Sequence, residues 1–274
     1  MTDFQNILVV GGACGIGKAT IAKLLPENYN VIVADSNKEK LNAINEEYKD
    51  KWGNSLSVLL LDITNKSAVT EGVRWMTEQF RHLDCIVISA GMHSTCPVEY
   101  LQDDVIHKVL DVNLIAHIKL VRDLLPILKD GGKIIGVSSI AAGLGVPMSS
   151  MYSASKAGME GFYETLSVEL SYRKIRAIII HPGNVNTGFN ETGNLYRPTG
   201  NRFIDERYSR VVSKIDSSHG IMPEVVANTI IKAITSKSPK FCYIVGSNAW
   251  KAYWAKRLLG RNFALKLMAK YFGF

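Results

Sequence analysis

The chain has 274 residues, 47% apolar and 21% charged, with a formal net charge of +7. That length buries a sizeable core and suits one α/β domain, and the composition excludes a disordered chain. Lys251, Lys256, Arg257, Arg261, Lys266 and Lys270 all fall in 249–274, which has no acid, so 1–248 holds 26 basic and 25 acidic residues, a net of +1. A nucleic-acid enzyme more often spreads its basic footprint over the fold, so no nucleic-acid partner is expected.

In chain order, apolar runs at 7–10, 31–34, 58–61, 86–89, 134–137, 177–180 and 242–245 predict about seven short buried strands. Amphipathic periodicity between them predicts helices over 16–25, 37–49, 67–81, 104–128, 152–173 and 223–237. Buried strands separated by helix-length crossovers indicate a parallel sheet covered on both faces, the doubly wound Rossmann-type α/β architecture. Residues 188–222 form a long stretch carrying Gly and Asn, a length usual for a functional lid or a disordered segment. The chain is therefore read as a cofactor-binding and catalytic domain over 1–248, with 188–222 as its substrate loop, and a helical tail over 249–274.

Targeting and metal signals are missing from the pattern. MTDFQN has no charged region leading into an apolar one, and no window reaches ~18 uninterrupted apolar residues. Cys14, Cys85, Cys96 and Cys242 show no C-x-x-C pair, and His93, His107, His117, His181 and His219 show no ligand spacing. No metal is expected, and reduced thiols in a cytoplasmic protein are.

The first strand runs into Gly11-Gly12-Ala13-Cys14-Gly15-Ile16-Gly17 and then a helix. Glycines there let the backbone turn tightly and approach a pyrophosphate, while the helix N-terminus offers N–H groups and partial positive charge. Asp35 closes the second strand, eighteen residues after Gly17. A carboxylate at that point accepts from the adenosine ribose hydroxyls and repels a 2′-phosphate, and positions 14 and 36 are Cys and Ser rather than basic. NAD is the cofactor expected.

Tyr152-Ser153-Ala154-Ser155-Lys156 puts a phenol and an ammonium on one face of a helix. A tyrosine titrates near ~10, and lowering that by about three units takes roughly 4 kcal/mol, which an ammonium in a partly dry site can supply. This pair is the candidate proton-transfer couple.

With these elements on view, the sequence resembles the short-chain dehydrogenase/reductases over about 5–246. The matching segments arrive in the family's order: the glycine loop, Asp35, Asp62-Ile63-Thr64, Ser89-Ala90-Gly91, Asp111-Val112-Asn113, Ser138-Ser139, the YSASK segment at 152–156, and Pro182-Gly183 followed by Thr187. The resemblance implies that Tyr152 is the general acid/base and that Ser139 polarises the substrate oxygen. It implies that Lys156 binds the nicotinamide ribose and that Asn113 bends its helix around a water in a proton relay. Gly11, Gly15, Ile16 and Gly17 would hold the pyrophosphate, and Asp62 and Ile63 would bracket the adenine. Ala90, Gly91, Pro182, Gly183, Val185 and Thr187 would border the nicotinamide half. Two positions depart from the family: Val10 replaces the usual Thr, and Ser89 the usual Asn. Helices 104–128 and 152–173, which pair between subunits in that family, imply a homodimer or homotetramer.

The substrate is read as a bulky apolar alcohol or ketone from Phe189, Leu195, Tyr196, Phe203, Ile204, Ile221 and Met222, with Met148 and Met151 ahead of the tyrosine. Arg197, Arg202, Arg207 and Arg210 leave room for an anionic group. The long loop and apolar tail look like those of hydroxysteroid and retinol dehydrogenases; a 3-hydroxyacyl or 3-hydroxybutyrate dehydrogenase is the alternative. A non-catalytic NAD-binding module is the reading from outside enzymes, and intact Ser139, Tyr152 and Lys156 argue against it. In the tail, Trp250, Tyr253, Trp254 and Leu258, then Phe263, Leu267, Met268, Tyr271 and Phe272, form apolar stripes beside basic residues. Such helices suit peripheral contact with an anionic membrane, or they pack over the cleft or a neighbouring subunit.

Overall fold

The structure is a computed structural model that describes residues 5–189, 193 and 195–274. Residues 1–4, and 190–192 and 194 of the 188–222 loop, lie outside the described residues. β1 (Asn6–Val10) leads through α1 (Gly15–Leu24) to β2 (Asn30–Asp35), and α2 (Lys38–Trp52) leads on to β3 (Leu56–Leu60). α3 (Lys66–Gln79) crosses to β4 (Leu83–Ile88); α4 (Asp103–Leu110) and α5 (Ala116–Leu124) precede β5 (Leu128–Val137). α6 (Ser150–Glu169) returns to β6 (Arg176–Pro182), and α7 (Arg202–Ile215) and α8 (Pro223–Thr235) precede β7 (Cys242–Val245). α9 (Ser247–Leu259) and α10 (Arg261–Phe272) end the chain.

All seven strands run parallel in the order β3-β2-β1-β4-β5-β6-β7. Successive side chains of a strand point to opposite faces, so an apolar run feeds two cores. Leu8, Ile32, Ile86 and Ile134 face Val121, Leu124, Met159 and Leu166 on one side. Ile7, Val31, Val87 and Ile135 face Ile21, Leu24, Ile44 and Ile230 on the other. Each such side chain contributes about 1.5–3 kcal/mol on burial. The strand order reverses between β1 and β4, which opens a crevice at their carboxyl ends.

Several elements differ from the expectation. β3 is the edge strand and is only partly covered, with Leu60 54% exposed, where a buried strand was expected. The helix expected over 104–128 is interrupted by a π turn, Asp111–Ile115, between α4 and α5, and it stops at Leu124 ahead of Pro126. The 188–222 segment contains a whole helix, α7, whose apolar positions were masked by the Gly- and Asn-bearing sequence before it. The tail is two helices, as its two stripes suggest. Among the described residues, no helix is long and apolar enough to cross a membrane.

Candidate active site

A cleft of about 520 Å³ runs over the carboxyl ends of the strands. At its base the chain leaves β1 through Gly11, whose φ is +72° and where a Cβ would fall 2.6 Å from the Ala90 nitrogen. A side chain there would break the contact between the β1 and β4 ends, so only glycine fits. A Cβ at Gly15 would project to within 3.1 Å of the Thr187 methyl, filling the space where α1 meets the far wall. α1 starts there without a side-chain cap from Cys14, which leaves its first turn suited to an anion. Just after β4, the Ser89 hydroxyl lies 2.9 Å from the Val10 carbonyl and 3.1 Å from the Gly11 carbonyl, donating to this pair of acceptors and tying the loop to the β4 end.

Asp35 ends β2 at the cleft wall. Its Oδ2 accepts from the Ala13 N–H at 3.1 Å and its Oδ1 from the Asn37 N–H at 3.0 Å, so the carboxylate is held on the glycine loop. Ser36 and Lys40 line the same wall. Lys40 is a cation that inspection of positions 14 and 36 did not reveal; the first turn of α2, capped by Asn37, carries it there. Gly11, Gly15, Ile16, Gly17, Asp35, Asp62, Ile63, Ala90, Gly91, Pro182, Gly183, Val185 and Thr187 all line this one cleft. The glycine cradle, the helix terminus and the carboxylate fit a dinucleotide.

Ser139, Tyr152 and Lys156 line the other half. Ser139 follows β5, and Tyr152 and Lys156 lie on the first turns of α6. A hydrogen bond to Ser139 steadies the phenol, yet burial pushes Tyr152 up to about 12. Burial also pushes Lys156 down to about 8. Its Nζ lies 5.8 Å from the Tyr152 ring centre and donates to the Val137 carbonyl at 3.0 Å. In the protein alone, burial sets the direction for Tyr152, and the positive nicotinamide ring expected to act with the ammonium is not part of this environment. In this state the phenol holds its proton.

Asn113 sits at the centre of the π turn, fully buried, and does not line the cleft. Its Oδ1 accepts from the Met92 N–H at 2.8 Å, and its Nδ2 donates to the Met92 carbonyl at 2.9 Å and to Ser155 Oγ at 3.0 Å. The helix is interrupted there by the π turn, and Asn113 ties the loop after β4 to α6. A Cβ at Gly91 would approach Asn113 Oδ1 at 3.1 Å and Lys156 Nζ at 3.5 Å, which explains the glycine between them.

Two buried histidines contact residues of the site, one within the cleft and one behind it, although their spacing gave no sign of it. His93 lines the cleft with its ring edge-on to Tyr152, centroids 4.6 Å apart, and burial pushes it down to about 4. It is neutral at physiological pH, with Nδ1 3.3 Å from Thr95 Oγ1. His181, at the end of β6, places Nδ1 3.1 Å from the carbonyl oxygen of Ser139 and Nε2 3.7 Å from Glu160.

The substrate wall differs from the sequence reading. Phe189 lines the cleft, but Tyr196 and Ile204 pack instead with Cys96, Tyr208 and Met148 in a separate cluster, and Leu195, Phe203 and Met222 are exposed. Arg202 pairs with Glu206, Arg207 stacks on Phe203, and Arg210 donates to Gly273, so these cations are engaged outside the cleft. Lys214 and Ile215, from the end of α7, line it instead.

Residues 5–196 match the model of the family described as short chain dehydrogenase. The chain is 28% identical over 248 residues to a 3-ketodihydrosphingosine reductase of Bacteroides thetaiotaomicron, covering 88% of each. It is 28% identical over 252 residues to an NADPH-dependent 3-dehydrocapnine reductase of Ornithobacterium rhinotracheale, covering 87% of each. A short-chain dehydrogenase from Streptomyces avermitilis superposes with a TM-score of 0.83 at 20% identity, over 98% of this chain and 96% of that one, which shows the fold. With two thirds of its length under the family model, the chain belongs to the short-chain dehydrogenase family.

Proposed function

We propose that this chain interconverts a ketone and a secondary alcohol on a long, largely apolar substrate, using a nicotinamide dinucleotide held in the cleft. The observation that carries the reading is the convergence of Ser139, Tyr152 and Lys156 beside the glycine cradle. When bound, the reduced nicotinamide supplies the hydride that reaches the carbonyl carbon. The Ser139 hydroxyl donates to the substrate oxygen and polarises the carbonyl. Tyr152 gives that oxygen its proton, so the phenol O–H breaks as the alcohol O–H forms. Lys156 holds the nicotinamide ribose and keeps positive charge near the phenolate left behind. Asn113 holds the Met92–Ser155 framework behind them and closes the path by which Tyr152 recovers a proton. Phe189, His93 and Ile215 give the substrate half an apolar wall with one neutral imidazole.

A 3-keto compound, related to the 3-hydroxyacyl alternative rather than to the hydroxysteroid expected first, is favoured, since the two relatives described above are named as reductases of 3-keto or 3-dehydro compounds. NAD is the cofactor favoured by Asp35. Lys40 and the NADPH-dependent relative support a second reading, in which a 2′-phosphate sits between Ser36 and Lys40. Copies of the chain associate through the α4–α6 face, where Ile115, Val168 and Tyr172 stand exposed.

The test is reduction of a panel of 3-keto long-chain compounds, steroid ketones and short ketones with NADH and NADPH. The NAD reading predicts NADH better by about tenfold or more in kcat/KM, the effect of ~1.4 kcal/mol from an unpaired carboxylate facing a phosphate. Preference for NADPH that disappears in Lys40→Ala contradicts it and supports the second reading.

A further inference from the structure

The tail rests on the helix that borders the cleft. Ala264 and Phe272 of α10 are buried and Met268 is half-buried, one helical row turned inward toward α7. Arg210 donates from Nη1 to the Gly273 carbonyl at 3.2 Å, and Lys214 Nζ, itself at the cleft, lies 4.3 Å from the centre of the Tyr271 ring. The apolar stripe read from the sequence therefore splits in two. Its other row, Phe263, Leu267 and Tyr271, faces outward, 49%, 48% and 54% exposed. Arg261, Lys266 and Lys270 adjoin that row and are exposed too. Trp250, Leu258 and Leu259 of α9 and Phe203 of α7 add to the exposed apolar surface.

Soluble monomers rarely leave so many large apolar side chains bare on neighbouring helices, and α10 packs on both α7 and α9. Charge identifies what covers them. The tail has six basic residues and no acid, whereas the other 248 residues are almost neutral. A two-fold contact between two tails would set these cations against their own copies. An anionic lipid surface satisfies both features, as apolar side chains enter the acyl boundary and lysines and arginines meet phosphates.

We propose that α7, α9 and α10 dock the mouth of the cleft on an anionic bilayer, so that a membrane-dissolved long-chain ketone enters past Lys214 and Ile215. The substrate in this inference rests on the proposed ketone reduction; the docking does not. The experiment is co-sedimentation of the full chain with phosphatidylcholine vesicles, alone or mixed with phosphatidylglycerol, at low and high salt. The variants are Phe263→Ser with Leu267→Ser, and Lys266→Glu with Lys270→Glu; both pairs are exposed and leave the inward row intact. The wild type binds the mixed vesicles and is released by salt, and each double variant loses about tenfold or more of the bound fraction. For a long-chain ketone presented in mixed vesicles, kcat/KM falls in parallel, while turnover of a short soluble ketone is unchanged. No sedimentation of the wild type, equal sedimentation of the variants, or a change of oligomer size on gel filtration with no vesicle binding overturns the docking. Turnover of soluble ketones without vesicle binding overturns the docking alone; vesicle binding by a chain that reduces no ketone supports docking and overturns the activity.

Discussion

Tyr152 and Lys156 show how one environment moves an acid and a base in opposite directions. Burial disfavours the charged form of each, which keeps the phenol protonated and brings the ammonium within reach of neutral pH. A donor for the proposed ketone reduction has to hold its proton until negative charge builds on the substrate oxygen, and the raised phenol suits that role. Lys156 is the member of the pair that titrates under ordinary conditions. Its value lies below that of an unfolded lysine, so it is charged below about 8 and neutral above it. The kcat/KM for the reduced cofactor, which reports groups on the free enzyme, is expected to be flat below that pH and to fall above it. A profile flat to pH 10 would show that Lys156 has no charged role. The pair was legible in the sequence because residues four apart share a helix face. His93 was not: it lies in a loop after β4, and only the fold turns it onto Tyr152. The departure at Val10 was visible, but the Ser89 hydrogen bond to the Val10 carbonyl needed the β1–β4 contact.

Among the elements, the buried central strands and their crossovers were legible because short, continuous apolar runs between helical patterns suit strands covered on both faces. The π turn was not, since one extra residue in a helical turn scarcely disturbs amphipathic periodicity. Nor was the coupling between the end of β6 and the turn after β5. There His181 donates from Nδ1 to the carbonyl of Ser139, while its other nitrogen faces Glu160 beside a separate cavity of about 270 Å³ that Tyr253 and Arg257 of α9 help to line. His181 is therefore a positioning residue for the serine. His181→Ala should lower kcat about fivefold, the equivalent of a net hydrogen bond of ~1 kcal/mol, with cofactor affinity unchanged. His181→Asn, whose amide nitrogen can stand where Nδ1 does, should recover most of the loss. Equal losses in both variants, or an effect on cofactor affinity alone, would remove the residue from this role.

At the scale of the whole molecule, the doubly wound sheet gathers segments from 10 to 215 at the carboxyl ends of its strands, so that the glycine cradle shares a cleft with Ser139, Tyr152 and Lys156. Their joint order along the chain made that gathering readable in the sequence. The wall facing the substrate was not readable, because α7 within 188–222 turns most of its apolar and basic residues away from the cleft and toward the tail. The proposed function has this cleft move a hydride and a proton between a nicotinamide and a ketone, with Tyr152 as the proton donor. It is tested most directly by ketone-dependent oxidation of NADH or NADPH by the wild type and by Tyr152→Phe, with cofactor binding followed in parallel by fluorescence. The account predicts turnover by the wild type, unchanged cofactor binding by the variant, and a fall in its kcat of about 10²-fold or more, since only the titratable oxygen is removed. Turnover in Tyr152→Phe within threefold of the wild type would contradict it.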